Sequence, residues 1–361
     1  MRTLRRVLIV HPYGIGDLLF VTPVLRALRL LPTVETVDLL LGSRTREVVE
    51  NNPHINSIFV VDKDKAHRQT WFQNLKENLE LGRKLRAKHY DLMLDFSLRR
   101  ENAFFAQFFF GIPKRAGFAY KKRATFHNIR TPLPEGFWKK HAVDFYCDLA
   151  EAAGIPVEDR FLEYYPPADT VVLGKTIFEK TRILPEPFLA VSPGGGDSWG
   201  KEADFKRWPV KYFAELILRI KKERGISGVA ILGSRSERAL CEELQGAVGA
   251  PSVVLAGETT LAETAMILKK AKLFIGNDGG LVHLAHALRV PLVAFYGPVP
   301  PEVYGPFPAS SVAVAVFKKG LECRPCYYKF RYNKDCPTIA CLKDLSPDEV
   351  MRSIGGSYGQ A

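Results

Sequence analysis

No segment of the 361-residue sequence has the run of about 18 apolar residues that a helix needs to cross a bilayer. The nearest stretch, Ala103–Ile112, is too short and is interrupted by Gln107 and Gly111. The apolar run at the N-terminus ends at His11 and leads into a polar glycine loop, without the small-residue cleavage site of a signal peptide. The sequence therefore predicts a cytoplasmic protein.

Acidic residues are in the minority, with 39 Asp and Glu against 51 Lys and Arg and a net charge of +12. Such an excess indicates an anionic partner, which can be nucleic acid, an acidic membrane surface or a phosphorylated substrate; simple solubility is the alternative. A nucleic-acid-binding protein would gather its basic residues on one helix or on an aromatic-studded sheet. Here they are dispersed, so we expect no nucleic-acid partner.

Both halves of the chain alternate short runs of Val, Ile and Leu with longer segments of helical period. This rhythm is typical of parallel sheets wrapped by helices, and predicts an α/β protein with two doubly wound domains. Ligands of such sheets bind outside the carboxyl ends of the strands. We predict strands at Val7–Val10, Val37–Leu41, Ile58–Val61, Leu92–Asp95, Arg115–Gly117, Phe188–Ser192, Gly228–Leu232, Val253–Leu255, Leu273–Asn277, Leu292–Tyr296 and Val312–Val316.

The domain boundary is predicted where prolines bracket a charged helical segment, because prolines stiffen linkers. The bracketing residues are Pro166, Pro167, Pro185 and Pro187. We therefore expect an N-terminal domain over 1–167, a linker over 168–186 and a second domain over 187–345. A final helix over 346–361, with Pro347 at its first position, is expected to pack back on the N-terminal domain.

The first glycine loop follows the first predicted strand and contains Gly14, Gly16 and Asp17. A dinucleotide fingerprint is unlikely on this pattern because Leu19 stands where the third glycine is required. Asp17 has two interpretations. It can cap the next helix, stabilising it by about 1 kcal/mol, or it can accept a proton from an acceptor hydroxyl. The spacing alone leaves both open.

Two further glycine loops follow predicted strands in the second half. Gly194–Gly196, followed by Lys206, suits a diphosphate because backbone amides and an ammonium can both reach it, although a mobile surface turn fits equally well. Asp278–Gly280 opens a helix whose N-terminus favours an anion, and His283 lies on its first turn. No carboxylates accompany His286, so a packed histidine is favoured there over a metal ligand.

Three ordered blocks resemble glycosyltransferase family 9, the ADP-heptose:lipopolysaccharide heptosyltransferases. The first runs from Gly14 to Arg29 and resembles G-D-x-L-x-x-T-P-x-L-R-A-L-R. The second, Lys206–Pro209, reads K-R-W-P. The third, Asp278–Ala285, resembles D-[ST]-G-x-x-H-x-A and is followed by Tyr296-Gly297-Pro298. Together they span nearly the whole chain.

The resemblance implies a GT-B fold, with two Rossmann-like domains facing each other across a cleft, and an inverting transfer that uses no catalytic metal. The donor would be ADP-heptose and the acceptor the phosphorylated inner core of lipopolysaccharide, with peripheral contact at the cytoplasmic face of the inner membrane. Asp17 matches the general base. The donor-binding positions would be Gly194, Gly195, Lys206, Thr259, Asp278, Gly279, Gly280 and His283.

The chain departs from the family pattern at Gly279, where Ser or Thr is usual, and its Gly194–Gly196 run is poor in side-chain donors. A transferase with a different sugar nucleotide therefore stays open. A nucleotide-sugar epimerase of the same fold is a second alternative, but it would need additional carboxylates or histidines to move protons on the sugar, and the sequence offers no clear set.

Basic residues of the first half are candidates for binding an anionic acceptor, with an ordinary basic surface as the alternative: Lys114, Arg115, Lys121, Lys122 and Arg123. A phenylalanine-rich segment lies close to them, over Phe104–Phe110. Contact with lipid is one interpretation of this segment. Its helical period favours core packing.

Four cysteines near the C-terminus have the spacing C-x2-C-x9-C-x4-C. In a cytoplasmic chain, this pattern suits a structural zinc site better than disulfides, and four thiolates would leave no open position for catalysis. Free thiols are the alternative. The candidate ligands are Cys323, Cys326, Cys336 and Cys341.

Overall fold

The computed structural model describes residues 4–62, 65, 68–168, 179–180, 184–333 and 335–358. The chain divides into two compact units, Met1–Tyr165 and Pro166–Ala361. This division lies beside the boundary expected at residue 167. Most of the predicted charged linker helix lies outside the described residues. Within the described residues, no helix combines the length and the apolar character needed to span a membrane.

The first unit contains a parallel sheet of six strands in the order β3-β2-β1-β4-β5-β6, which is the Rossmann order. The chain enters at β1, whose Val7–Val10 segment is buried because helices cover both faces. The strands are β1 (Arg6–His11), β2 (Thr36–Gly42), β3 (Ser57–Val61), β4 (Leu92–Asp95), β5 (Lys114–Ala119) and β6 (Ile129–Pro132). The helices are α1 (Ile15–Leu19), α2 (Thr22–Leu30), α3 (Trp71–Ala87), α4 (Arg100–Phe108) and α5 (Ala142–Ala152).

Helices α3 and α4 pack on the same face of this sheet. Leu85 of α3 and the small Ala103 and Ala106 of α4 share one core cluster with Leu8 and Met93 of the sheet. The predicted core packing of the phenylalanine-rich segment is wrong for its exposed members, Phe104, Phe105, Phe108 and Phe109. The two alanines take the inward positions, so the large rings of α4 face outward.

The second unit repeats the architecture, with strand order β12-β11-β10-β7-β8-β9 and all pairs parallel. Counted from β7, this is again the Rossmann order. The strands are β7 (Phe188–Ser192), β8 (Gly228–Ile231), β9 (Ser252–Val254), β10 (Leu273–Asn277), β11 (Leu292–Phe295) and β12 (Ala313–Val316). The helices are α6 (Val210–Arg224), α7 (Arg238–Val248), α8 (Leu261–Lys270), α9 (Gly280–Ala287), α10 (Pro301–Tyr304), α11 (Ala340–Lys343) and α12 (Pro347–Tyr358).

The last helix, α12, packs on the second unit, against α6 and β12. Its Val350 and Ile354 are fully buried in the core cluster that contains Trp208, and the indole of Trp208 donates to the Leu345 carbonyl at 2.9 Å. The sequence-based expectation had placed this helix on the N-terminal domain. The structure assigns it to the other unit, because its apolar face completes that unit's core.

The fold class is confirmed: the chain is an α/β protein made of two Rossmann-like, doubly wound units.

Candidate functional site

The strand order places a switch point in each unit, where the connections from two adjacent strands run in opposite directions. In the first unit these strands are β1 and β4, and in the second they are β7 and β10. Loops that leave the carboxyl ends of such a pair diverge and leave a crevice between them. Each predicted glycine loop follows one of these strands.

Asp17 lies in the first turn of α1, whose N-cap residue is Gly14. Asp17 is therefore a residue of the helix and not its N-cap, and an acidic side chain in the first turn is favoured by the helix dipole. The residues that follow it, Leu18 and Leu19, are buried, while Asp17 itself is half-buried. A carboxylate held at the rim of an apolar core can still contact a substrate.

Two tyrosines lie within electrostatic reach of Asp17. Burial is the main cause that raises the pKa of Tyr13 and of Tyr146, and the charge of Asp17 raises both further. These phenols stay protonated at neutral pH and can act as hydrogen-bond donors. Neither had been singled out from the sequence.

A buried hydrogen-bond network supports the other side of this crevice, at the end of β4. Asp95 accepts a hydrogen bond from the backbone of Ser97 at 2.9 Å, and its second oxygen lies 3.3 Å from Nε2 of His127. Asn102 donates to the Ser97 hydroxyl at 2.7 Å, and the Tyr13 hydroxyl donates to the Ser97 carbonyl. The network thus joins the loop after β4 to the loop that carries Asp17.

His11, at the end of β1, is fully buried among aromatic rings and does not act as an acid or a base near neutral pH. Its ring centroid lies 5.5 Å from Tyr13, 6.0 Å from Tyr146 and 6.4 Å from Phe96. Burial lowers the pKa of His11 to about 3. The imidazole is therefore a neutral packing element beneath the crevice.

The predicted acceptor-binding residues divide between the carboxyl and the amino ends of the strands of the first sheet. The carboxyl end of β5 is followed by Lys121, Lys122 and Arg123, on the same side of the sheet as the loop with Asp17 after β1. The charges of Arg123 and of Arg99 act on Tyr13 and lower its pKa, which places both cations near the crevice. Arg99 was not predicted from the sequence.

Lys114 and Arg115 begin β5. Because all strands of the sheet run parallel, these two residues lie at the amino ends of the strands, away from Asp17. The Arg115 guanidinium also donates to the carbonyls of Phe126 at 2.9 Å and Ile112 at 2.6 Å. The structure therefore does not bring these two residues to the Asp17 crevice.

In the second unit, Lys206 and Asp278 form a buried ion pair with 2.7 Å between Nζ and Oδ2. Lys206 comes at the end of the 3-10 helix Asp197–Lys206, after β7, and Asp278 directly follows β10. The two residues, predicted separately from the sequence, meet at the switch point. A buried ammonium beside two glycine loops is well placed to bind a diphosphate.

The two glycine loops contact each other closely. A Cβ atom at Gly279 would collide with the carbonyl of Gly195, and one at Gly195 would lie 3.1 Å from the carbonyl of Asp278. Gly195 also has a φ of +82°, which glycine adopts at little cost. The space between the loops therefore explains why this chain has glycine, and not Ser or Thr, at position 279.

Glu237 is a functional residue that sequence reasoning missed. Its buried carboxylate accepts the backbone N–H of Gly196 at 2.7 Å and that of Ser234 at 2.8 Å, and a Cβ at Gly194 would overlap it. The one local signal is the capping-box spacing from Ser234 to Glu237. Glu237 therefore restrains the conformation of the Gly194–Gly196 loop.

The side chain of Asn277 ties the two switch-point loops together. Its Nδ2 donates to the carbonyl of Pro193 at 2.6 Å, and its Oδ1 accepts the backbone N–H of Trp208 at 3.0 Å. Both segments therefore keep a fixed position beside Asp278.

The remaining predicted donor-binding residues have different surroundings. Gly280 begins α9, and His283 is buried in the first turn of that helix. Thr259 lies on the loop before α8, and its hydroxyl is 2.8 Å from that of Thr264. Burial lowers the pKa of His286, and the backbone of Pro308 and Phe307 opposes this shift. These contacts agree with a packed histidine.

The four C-terminal cysteines lie within electrostatic reach of one another. Burial, and after it the charges of Cys326, Cys336 and Cys323, raise the pKa of Cys341 to about 12. Among the described residues, however, no group of three or more His, Cys, Asp or Glu side chains is arranged to hold a metal ion. The thiols as placed do not fit the expected zinc site, which stays a prediction.

Gly279→Ser tests the contact between the glycine loops. We expect this substitution to lower the free energy of unfolding by about 1–3 kcal/mol, because the new side chain must displace the Gly195 carbonyl. The matched control is Gly246→Ser in α7, where a Cβ meets nothing within 4 Å and stability is expected to be unchanged or raised. Urea unfolding of the three proteins measures both effects. Equal stability of Gly279→Ser and the parent would contradict the steric explanation.

Two Rossmann-like units, one with the half-buried Asp17 at its switch point and the other with Lys206 beside two glycine loops, form the architecture of the GT-B glycosyltransferases. The chain belongs to glycosyltransferase family 9: the family model described as "Glycosyltransferase family 9 (heptosyltransferase)" matches residues 78–335, more than half of the sequence. The matched range includes Lys206, Asp278 and His283.

Full-length relatives support this assignment. The chain is 26% identical to lipopolysaccharide heptosyltransferase 2 of Escherichia coli K12, with 97% of each chain covered. It is 25% identical to lipooligosaccharide heptosyltransferase 2 of Haemophilus ducreyi, covering 97% of this chain and 98% of that protein.

Solved structures show the same fold. The structure of E. coli ADP-heptose LPS heptosyltransferase II gives a TM-score of 0.74 at 23% identity, covering 98% of this chain and 99% of that one. The family 9 glycosyltransferase of Veillonella parvula gives 0.77 at 20% identity, covering 100% and 99%.

Proposed function

We propose that this glycosyltransferase moves a heptose from ADP-heptose to a hydroxyl of the inner core of lipopolysaccharide. The observation that carries the proposal is the buried Lys206–Asp278 pair beside the two touching glycine loops, which suits a nucleoside diphosphate. The full-length relatives are heptosyltransferases of lipooligosaccharide and lipopolysaccharide, and they suggest the sugar and the acceptor. In this proposal the second unit binds the donor, and the first unit supplies the acceptor site.

The proposed reaction is a single displacement that inverts the configuration of the sugar. The Asp17 carboxylate removes the proton of the acceptor hydroxyl, whose oxygen forms a bond to the anomeric carbon. The bond from that carbon to the phosphate oxygen breaks, and ADP leaves with the electron pair. Asp17 suits this role because it is half-buried in the loop that follows β1, at the switch point of the first sheet.

The departing diphosphate gains negative charge as the reaction proceeds, so groups that stabilise it lower the barrier. Lys206 brings a positive charge, and His283 and the amides at the start of α9 bring N–H donors. These groups can perform the work that a divalent cation does in other transferases. We therefore propose that no metal takes part in catalysis.

The test is a panel of sugar nucleotides incubated with the enzyme and deacylated lipopolysaccharide core that lacks the heptose. Transfer from ADP-heptose, well above transfer from ADP-glucose, UDP-glucose and GDP-mannose, is the expected result, and it should persist in excess EDTA. Preference for another sugar nucleotide would show that the donor is not ADP-heptose, while the protein would still be a glycosyltransferase. Interconversion of a sugar nucleotide without acceptor would identify an epimerase and overturn the proposal.

A further inference from the structure

The outer face of α4 exposes four phenylalanines that the proposed reaction does not use. Phe104, Phe105, Phe108 and Phe109 are 36%, 46%, 58% and 52% exposed. Their rings contact one another, with centroids 5.0 Å apart for Phe104 and Phe108 and 5.4 Å apart for Phe105 and Phe109. Single exposed apolar side chains are ordinary, but a contiguous aromatic group of this kind marks an interaction surface. We name these four rings the aromatic patch.

The neighbouring helix α3 extends the apolar surface. Phe110 stacks on Phe105 of the patch with ring centroids 6.5 Å apart, and its ring would lie 3.5 Å from a Cβ atom at Gly82 of α3. The N-terminal half of α3 carries further exposed apolar side chains: Trp71, Phe72, Leu75 and Leu79. Since α3 and α4 cover the same face of the sheet, their outward sides belong to one side of the first unit.

Positive charge surrounds the aromatic patch. The segment from Arg99 to Arg130 contains eight Lys and Arg residues and one acidic residue, Glu101. Lys121 and Lys122 are exposed in the turn that contacts α4, and no ion pair among the described residues includes either of them. Lys114 and Arg115 lie at the far end of α4, where the Arg115 side chain reaches Gln107 at 3.3 Å.

An apolar face bordered by Lys and Arg is complementary to one kind of partner, the interface of an anionic lipid bilayer. Aromatic rings enter the headgroup region, and the cations contact lipid phosphates. Protein interfaces are also rich in aromatic residues, but the excess of Lys and Arg over acidic residues in the segment 99–130 matches the phosphates of a lipid surface. We propose that the outer faces of α4 and of the first half of α3 dock this enzyme on an anionic membrane surface.

The docking surface adjoins the acceptor crevice. The turn that carries Lys121 and Lys122 also carries Arg123, whose charge acts on Tyr13 beside Asp17. A membrane bound to α4 would therefore bring a lipid-anchored acceptor close to the carboxyl ends of the strands, where Asp17 lies. The inference rests on the proposed function only in expecting such an acceptor; the surface itself is defined by its own side chains.

Co-sedimentation with lipid vesicles tests the proposal. The full chain is expected to bind vesicles made of equal parts phosphatidylcholine and phosphatidylglycerol, and to bind phosphatidylcholine vesicles much more weakly. The triple variant Phe105→Ser, Phe108→Ser and Phe109→Ser should bind the anionic vesicles roughly 100-fold more weakly. The matched control, Leu30→Ser with Leu218→Ser, removes exposed leucines outside the surface and should bind as the parent does.

Lys121→Glu with Lys122→Glu should also weaken vesicle binding, and added salt should abolish the difference from the parent, because exposed charges are screened. Unchanged binding of the triple variant, or no binding by the parent, would overturn the proposal. Dimerisation through the patch would also overturn it. Sedimentation velocity would then show a dimeric parent and a monomeric triple variant. Circular dichroism confirms that each variant is folded.

Turnover on the deacylated acceptor in solution separates this inference from the proposed function. The triple variant should match the parent there and lose activity only on acceptor embedded in vesicles. A parent that binds vesicles but transfers no heptose would remove the proposed function and leave the docking surface intact.

Discussion

The Asp17→Asn enzyme is expected to bind its sugar nucleotide as tightly as the parent and to turn it over about 1000-fold more slowly. The amide keeps the size and polarity of the carboxylate but cannot accept the proton of the acceptor hydroxyl. Because the proposed donor site lies on the other unit, the substitution should leave donor affinity unchanged. Calorimetric titration of the donor and steady-state kcat measure the two quantities.

Asp148→Asn is the matched control for this experiment. Asp148 lies in the same unit, on α5, where it pairs with Lys140 at the surface. Its replacement should change neither kcat nor donor affinity, since exposed ion pairs contribute little. Full activity of Asp17→Asn would remove the general-base assignment, and loss of donor binding would show that Asp17 acts elsewhere in the cycle.

Lys206→Met is expected to weaken donor binding about 100-fold and to lower the free energy of unfolding by about 3 kcal/mol. The lost affinity follows from removing the cation that faces the diphosphate. The lost stability follows from leaving the buried Asp278 carboxylate without its partner. Donor titration and urea unfolding report the two effects separately.

Two further proteins separate the structural effect of Lys206 from its binding effect. Lys206→Met combined with Asp278→Asn removes the uncompensated charge, so it should recover much of the stability while donor affinity stays low. Lys318→Met breaks the more exposed pair with Glu349 and should cost less than about 1 kcal/mol. If Lys206→Met bound the donor normally, the proposed diphosphate site would be wrong.

The sequence predicts the central strands well because they are short, apolar and bounded by glycine or polar residues. The predicted bounds of β4, β7 and β10 are those observed. In contrast, β6 was missed. Its four residues, Ile129–Pro132, include an arginine and a proline, so this edge strand has no apolar run to indicate it.

Side-chain partnerships were harder to predict than elements. Lys206 and Asp278 were each indicated by a local motif, but only the sheet topology shows that they form a pair. Glu237 is 41 residues from Gly196, the residue it binds, and no local pattern links them. The outward direction of the α4 phenylalanines depends on which side of the helix the sheet accepts, and periodicity alone does not decide between a face made of alanine and a face made of phenylalanine.

Glu237 holds the Gly196 amide by a hydrogen bond within the protein, so the fold itself restrains the conformation of the glycine loop. A loop with this many glycines would otherwise lose much backbone freedom on capturing its ligand, and affinity would fall accordingly. Here that ordering happens during folding, so the loop is pre-organised. We therefore expect Glu237 to lower the entropic cost of donor binding through its bond to the loop.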